Sequence, residues 1–107
     1  MSHNLLLWKW SPDFDSPAKR KRHRLKFEDV TGAFAAQGQH PAIGEADVAA
    51  FQSALDAEYG QDEPARLFVL ETHPRCVVVN YSGKDRFQLV PRIAEIGKRF
   101  GLNAAEF

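Results

Sequence analysis

Six cationic side chains lie within eight consecutive residues of this chain. The run comprises Lys19, Arg20, Lys21, Arg22, Arg24 and Lys26. The remaining eight Lys and Arg stand against all fourteen Asp and Glu, so the rest of the chain is net acidic although the whole is neutral. Such a cluster can attract phosphates or an acidic protein surface, and it is equally typical of a solvated segment that folds over nearby carboxylates. The run is therefore the first candidate for a binding function.

Two observations favour a protein partner over nucleic acid. The sequence pI is near 6.9, well below the basic value of a dedicated nucleic-acid-binding domain. The run also contains no aromatic side chain that could stack on a base. Aromatic residues lie just before it, so we predict one patch of rings and cations that docks an acidic protein surface, with nucleic acid or another anion as the alternative. The predicted patch comprises Trp10, Phe14, Arg20, Arg22, Arg24 and Lys26.

A second candidate site is the turn Ser82-Gly83-Lys84, which precedes a predicted helix. The helix N–H groups and Lys84 could hold a carboxylate or phosphate. The turn lacks the upstream glycine of a P-loop, and Asp85 follows Lys84 where that motif has Ser or Thr. A turn glycine with a helix cap explains the same residues. We keep it as a candidate anion site.

Support for catalysis is thin. The histidines show no His-x-x-x-His spacing, and the single Cys76 opens an apolar strand, where a thiol usually acts as a small hydrophobe. A small-molecule enzyme with a site near Ser82, Lys84, His40 or His73 would need these groups to converge on one concave pocket. We expect no enzymatic activity, no metal and no cofactor.

Periodicity predicts the elements that position these residues. Strand patterns cover residues 4–10, 66–72 and 76–81, and helical patterns cover 27–37, 45–59 and 85–100. Ser16 is expected to cap a short helical turn with Pro17 at its first position, and the basic run would occupy that turn and the segment beyond it. Pro91 interrupts the last helix, so regular helix is expected to begin near it or to kink before it.

The order β-α-α-β-β-α indicates an α+β fold with helices packed on an antiparallel sheet. It is close to a ferredoxin-like order with an extra helix in the first crossover, the connection that carries residues 19–26. We predict a single domain over residues 1–107, with three to four strands and about three helices. A last strand within residues 102–107 is left open.

The apolar run at residues 5–8 is interrupted by Lys9 and is too short for a membrane span or a typical signal peptide. A single cysteine excludes an intrachain disulfide and gives no sign of an oxidising compartment. We therefore expect a cytoplasmic protein that does not contact a membrane. The oligomeric state is left open.

Three segments carry a resemblance to other proteins. They are the opening residues 1–10, which end in Trp-Lys-Trp, the strand at residues 77–81, and the stretch from Leu89-Val90-Pro91 to Phe100-Gly101-Leu102. Together they resemble small uncharacterised bacterial single-domain proteins. The resemblance implies a bacterial origin and a single domain, and it implies no activity.

Overall fold

The computed structural model describes residues 2–62 and 66–107. The strands are β1 (Ser2–Trp8), β2 (Phe68–Thr72), β3 (Cys76–Ser82) and β4 (Asn103–Glu106). The α-helices are α1 (Pro17–Arg22), α2 (Phe27–Gln37), α3 (Val48–Tyr59) and α4 (Arg86–Arg99). Single 3-10 turns at Pro12–Phe14 and Gly83–Asp85 precede α1 and α4.

The sheet confirms the predicted fold class. In the part of the chain that the structure describes it has four strands in the order β2-β3-β1-β4, and each neighbouring pair is antiparallel. The helix α3 connects β1 to β2, and α4 connects β3 to β4, so two split β-α-β units interleave as in a ferredoxin-like fold. The strand β4, left open by the sequence, pairs with β1.

Both faces of the sheet are covered. Leu5 and Leu7 point into a core formed with α3 and α4, whereas Leu6 and Trp8 point into a second core formed with α2. All four side chains are almost completely buried. Successive side chains of a strand point to opposite faces, so an unbroken apolar strand requires cover on both sides. The extra helix α2 and the loop that follows it supply that second layer, whereas α1, the short helical turn expected after Ser16, contributes no buried residue.

The helix boundaries show which local signals dominate. The helix α2 has the predicted limits and ends at Gly38 in the left-handed region, with φ 75°. The helix α3 begins three residues later than predicted because Asp47 is its N-cap and accepts a hydrogen bond from Ala50 N. The helix α4 begins at Arg86 and runs through Pro91, so the alternative in which helix starts near that proline is wrong.

A close crossing between two loops fixes the segment that follows β1. Gly44 N donates to Lys9 O over 2.7 Å, and Ser11 N donates to Ala42 O over 2.8 Å. A Cβ atom at Gly44 would lie 2.7 Å from Ser11 Cα. Because only glycine fits this backbone approach, the loop that follows α2 holds Trp10 in a fixed position at the end of the sheet.

Candidate functional site

The basic run begins on a short helix that is well anchored. Ser16 caps α1 as predicted, since its hydroxyl accepts a hydrogen bond from Lys19 N. Lys19 Nζ donates to Pro12 O over 2.8 Å and pairs with Asp15 over 2.9 Å. Arg20 Nη1 donates to Phe14 O over 2.8 Å. The first two cations of the run therefore hold α1 against the preceding turn.

Arg20 also covers a cluster of aromatic rings. Its guanidinium carbon lies 4.6 Å from the centre of the Trp10 ring, which is a cation–π geometry. Trp10 packs edge-on against Trp8, and Phe27 contacts both indoles at centroid distances of 5.1 and 5.6 Å. Trp8 is fully buried, whereas Trp10 remains partly exposed.

Phe27 adds a ring to the patch. Its ring contacts Trp8, but 46% of the residue is exposed. Phe14 is also partly exposed and packs against His23 at 5.1 Å between ring centres. The aromatic side of the predicted patch therefore includes Phe27 beside Trp10 and Phe14.

The later cations of the run form no ion pair with the carboxylates that the structure describes. Lys21, Arg22, Arg24 and Lys26 are exposed, and within residues 2–62 and 66–107 no carboxylate oxygen lies within 4 Å of their charged groups. Lys26 uses only its backbone, which donates to Asp29 at the start of α2. The run is thus divided between cations that anchor α1 and cations that face solvent.

Arg24 occupies an unfavourable backbone conformation. Its φ is 53°, in the left-handed region that favours glycine or asparagine and that costs other residues about 1–2 kcal/mol. The turn is closed by hydrogen bonds from Arg24 N to Lys21 O and from Leu25 N to Arg20 O. Arginine carries no sequence signal for this conformation, so sequence reasoning did not find the turn.

Two neighbouring concavities flank the patch. The α1 groove, of about 490 Å³, lies beside α1 and is lined by Asp13, Phe14, Lys19, Arg22, His23 and Pro41. The hairpin cleft, of about 700 Å³, lies between the end of α2 and the β2–β3 hairpin. Its lining comprises Ala33, Gln37, Gly38, Gln39, His40, Pro41, Ile43, His73, Pro74, Arg75 and Cys76. Sequence reasoning found neither concavity.

The structure brings together only half of the groups that the enzyme hypothesis required. His40 and His73 both line the hairpin cleft. Ser82 lies at the far end of β3, because it pairs with the first residue of β1 whereas Cys76 pairs with Trp8 at the other end of that strand. Burial raises the pKa of the Cys76 thiol to about 11, so the thiol stays protonated near neutral pH and is a poor nucleophile.

The candidate anion site at Ser82-Gly83-Lys84 forms an exposed 3-10 turn. The Ser82 side chain makes no capping hydrogen bond. Nearby, Arg86 forms two hydrogen bonds with the Glu106 carboxylate, at 2.7 and 3.0 Å, and is therefore already neutralised. Lys84 is the exposed cation of the turn, and its role as an anion ligand stays a prediction.

Among the residues described, no cluster of three or more His, Cys, Asp or Glu could hold a metal ion. No helix in the same part of the chain is both long enough and apolar enough to span a membrane. Comparisons with family models, curated proteins and solved structures gave no match. The resemblance to small bacterial proteins therefore stays a prediction, and the ferredoxin-like assignment depends on strand order and connections.

Proposed function

We propose that this protein is a non-enzymatic interaction module that docks an acidic protein surface, as an adaptor or a toxin-neutralising protein would. The docking patch comprises Trp10, Phe14, Arg20, Arg22, Arg24 and Lys26, with Arg20 as its internal support and Phe27 as an added ring. One observation carries the proposal: Arg22 at the end of the anchored helix α1, and Arg24 and Lys26 just beyond it, are exposed and form no ion pair with the described carboxylates.

The two halves of the patch would contribute differently. Exposed ion pairs each contribute about 0.2–1 kcal/mol and are screened by salt, so the cations would mainly speed and orient the encounter. The partly exposed rings of Trp10, Phe14 and Phe27 would supply apolar contact area. Because the chain is neutral overall, the steering field is local to this patch.

Strain at Arg24 supports the same interpretation. Its left-handed backbone would be more favourable with glycine or asparagine, and its side chain forms no ion pair with the described carboxylates. The fold alone therefore gives no reason for arginine at this position. An acidic partner could form an ion pair with the Arg24 guanidinium, which has no such role in closing the turn.

The structure also favours a protein partner over nucleic acid. One face of the Trp10 ring is already covered by Arg20, which limits stacking on a base. The helix α1, which carries Arg20 and Arg22, is six residues long, and the patch has apolar rims at Phe14 and Phe27. Such a mixed surface matches a protein interface better than a track of phosphates. We place the interaction in the bacterial cytoplasm, in keeping with the resemblance.

Fluorescence anisotropy with a labelled oligo-glutamate peptide tests the proposal. The test variant is Arg22→Gln/Arg24→Gln, which leaves Arg20 and its contacts intact. The matched control is Lys98→Gln/Arg99→Gln, because these exposed cations also form no ion pair with described carboxylates and lie at the end of α4. Losing two exposed contacts costs about 1 kcal/mol in total, so we expect Kd to rise about fivefold in the test variant.

The control should bind like the wild type. Equal weakening in both variants would reduce the effect to net charge and refute the patch. Duplex DNA of similar charge serves as a competitor in the same assay. If DNA binds more tightly than the peptide and loses affinity steeply with salt, the chain is an anion or nucleic-acid binder instead.

A further inference from the structure

The α1 groove and the hairpin cleft lie next to each other, because both have Pro41 as a lining residue. We call these two neighbouring concavities together the trough. Ser11 Oγ donates to Pro41 O, and the Gly44 crossing fixes the same loop. The trough therefore has a rigid centre, with α1 at one end and the β2–β3 hairpin at the other.

The hairpin cleft has one exposed cation, Arg75, with no carboxylate oxygen within 4 Å in the described ranges. None of its described lining residues is Asp or Glu, but the Glu71 carboxylate contacts the lining residue His73. His40 Nδ1 accepts a hydrogen bond from Ala42 N over 2.9 Å. The neutral imidazole of His40 therefore carries its proton on Nε2, which can donate. His73 differs, because its Nε2 lies 3.0 Å from Glu71 Oε1.

Part of the cleft lining is apolar, and it includes Ala33, Ile43 and Pro74. Cys76 adds a buried thiol that is protonated near neutral pH and behaves as a small apolar group. A side chain of moderate size could be buried here, with polar groups at the rim to orient it.

We infer that the trough takes an extended acidic peptide, which places an apolar side chain in the hairpin cleft and carboxylates near Arg75 and Arg22. This inference rests on the proposed function and names its partner as a linear segment of protein. An extended chain fits because it can lie across Pro41 and reach both concavities, whereas a compact small molecule would occupy one of them. Charge complementarity selects an acidic peptide over a neutral one.

Selection from a random-peptide phage library on the immobilised wild-type protein tests the inference. We expect selected peptides to be rich in Asp and Glu around at least one large apolar residue. The best peptide is then synthesised and its Kd measured against Arg75→Gln, which removes the cleft cation, and Ala33→Leu, which fills the cleft without changing charge. Each should raise Kd about fivefold, and Lys98→Gln should leave it unchanged.

The outcomes separate this inference from the proposed function. Loss of affinity in Arg22→Gln/Arg24→Gln together with full affinity in Arg75→Gln and Ala33→Leu would overturn the trough and keep the patch. Full affinity in Arg22→Gln/Arg24→Gln together with loss of affinity in Arg75→Gln and Ala33→Leu would overturn both the trough and the patch. Failure to select any peptide, or selection of peptides without acidic residues, would overturn the inference alone, since a folded acidic surface would still bind. Displacement of the peptide by phenylacetate at comparable concentration would also overturn it, because the cleft would then be a small-molecule site.

Discussion

Replacing Arg20 with lysine separates its anchoring role from its charge. Lysine keeps the positive charge but loses the planar guanidinium that reaches Phe14 O over 2.8 Å while it covers the Trp10 ring at 4.6 Å. A hydrogen bond from a charged group contributes about 1.5–3 kcal/mol when buried, and a partly exposed cation–π contact about 0.5–1 kcal/mol. Because Arg20 is only half-buried, we expect Arg20→Lys to lower the free energy of unfolding by about 1 kcal/mol, and Arg20→Ala by about 2 kcal/mol.

Urea denaturation monitored by tryptophan fluorescence measures this loss, and Arg22→Lys is the matched control. Arg22 lies on the same helix but is exposed, so its replacement should change stability by less than about 0.5 kcal/mol. Hydrogen exchange adds a local readout, because loosening α1 should speed amide exchange in residues 17–25. If Arg20→Lys and Arg22→Lys have equal stability and exchange, Arg20 is no anchor and the division of the run into two roles is wrong.

Three further predictions concern the scaffold. Gly44→Ala should lower the free energy of unfolding by about 2 kcal/mol in urea denaturation, because the new Cβ meets the Ser11 backbone; wild-type stability would contradict the crossing. Hydrogen bonds from Arg86 hold the pKa of Glu106 below its ordinary value, so the stability that Glu106 contributes is present above the ordinary carboxyl pKa and is lost as pH falls through the lowered pKa. Glu106→Gln should therefore lower the free energy of unfolding at neutral pH and make it depend less on pH in the acid range. If the wild type and Glu106→Gln lose stability equally as pH falls, this reasoning is wrong. Cys76 is buried with a pKa of about 11, so Ellman's reagent should modify it more than about a hundredfold more slowly than a free cysteine; rapid labelling of the folded protein would contradict this.

Much of the fold was accessible from local signals. The cap at Ser16, the limits of α2 and the succession of helices and strands along the chain follow from capping residues, apolar spacing and turn residues. These signals act over a few positions. The double cover of the sheet was also implied by the unbroken apolar run at residues 5–8.

The site was less accessible because its contacts join distant or unexpected atoms. Lys19 and Arg20 use the backbone oxygens of Pro12 and Phe14, and a charge count cannot distinguish an anchoring cation from a solvent-facing one. The hairpin cleft needs residues 33–43 beside residues 73–76, which only the sheet register brings together. Arg24 violates local preference, so no propensity argument could place its turn.

The most direct test of the central claim is a titration of the ¹⁵N-labelled protein with the oligo-glutamate peptide, followed by NMR. The chain has two tryptophans, whose indole signals can be compared within one spectrum. Trp10 belongs to the patch and is partly exposed, whereas Trp8 is fully buried. We predict that the Trp10 indole and the amides of residues 19–26 shift together, that the Trp8 indole shifts less, and that the Lys98 amide stays nearly unchanged. Shifts centred on Lys98, or no shifts in residues 19–26 at saturating peptide, would contradict a docking function for the patch.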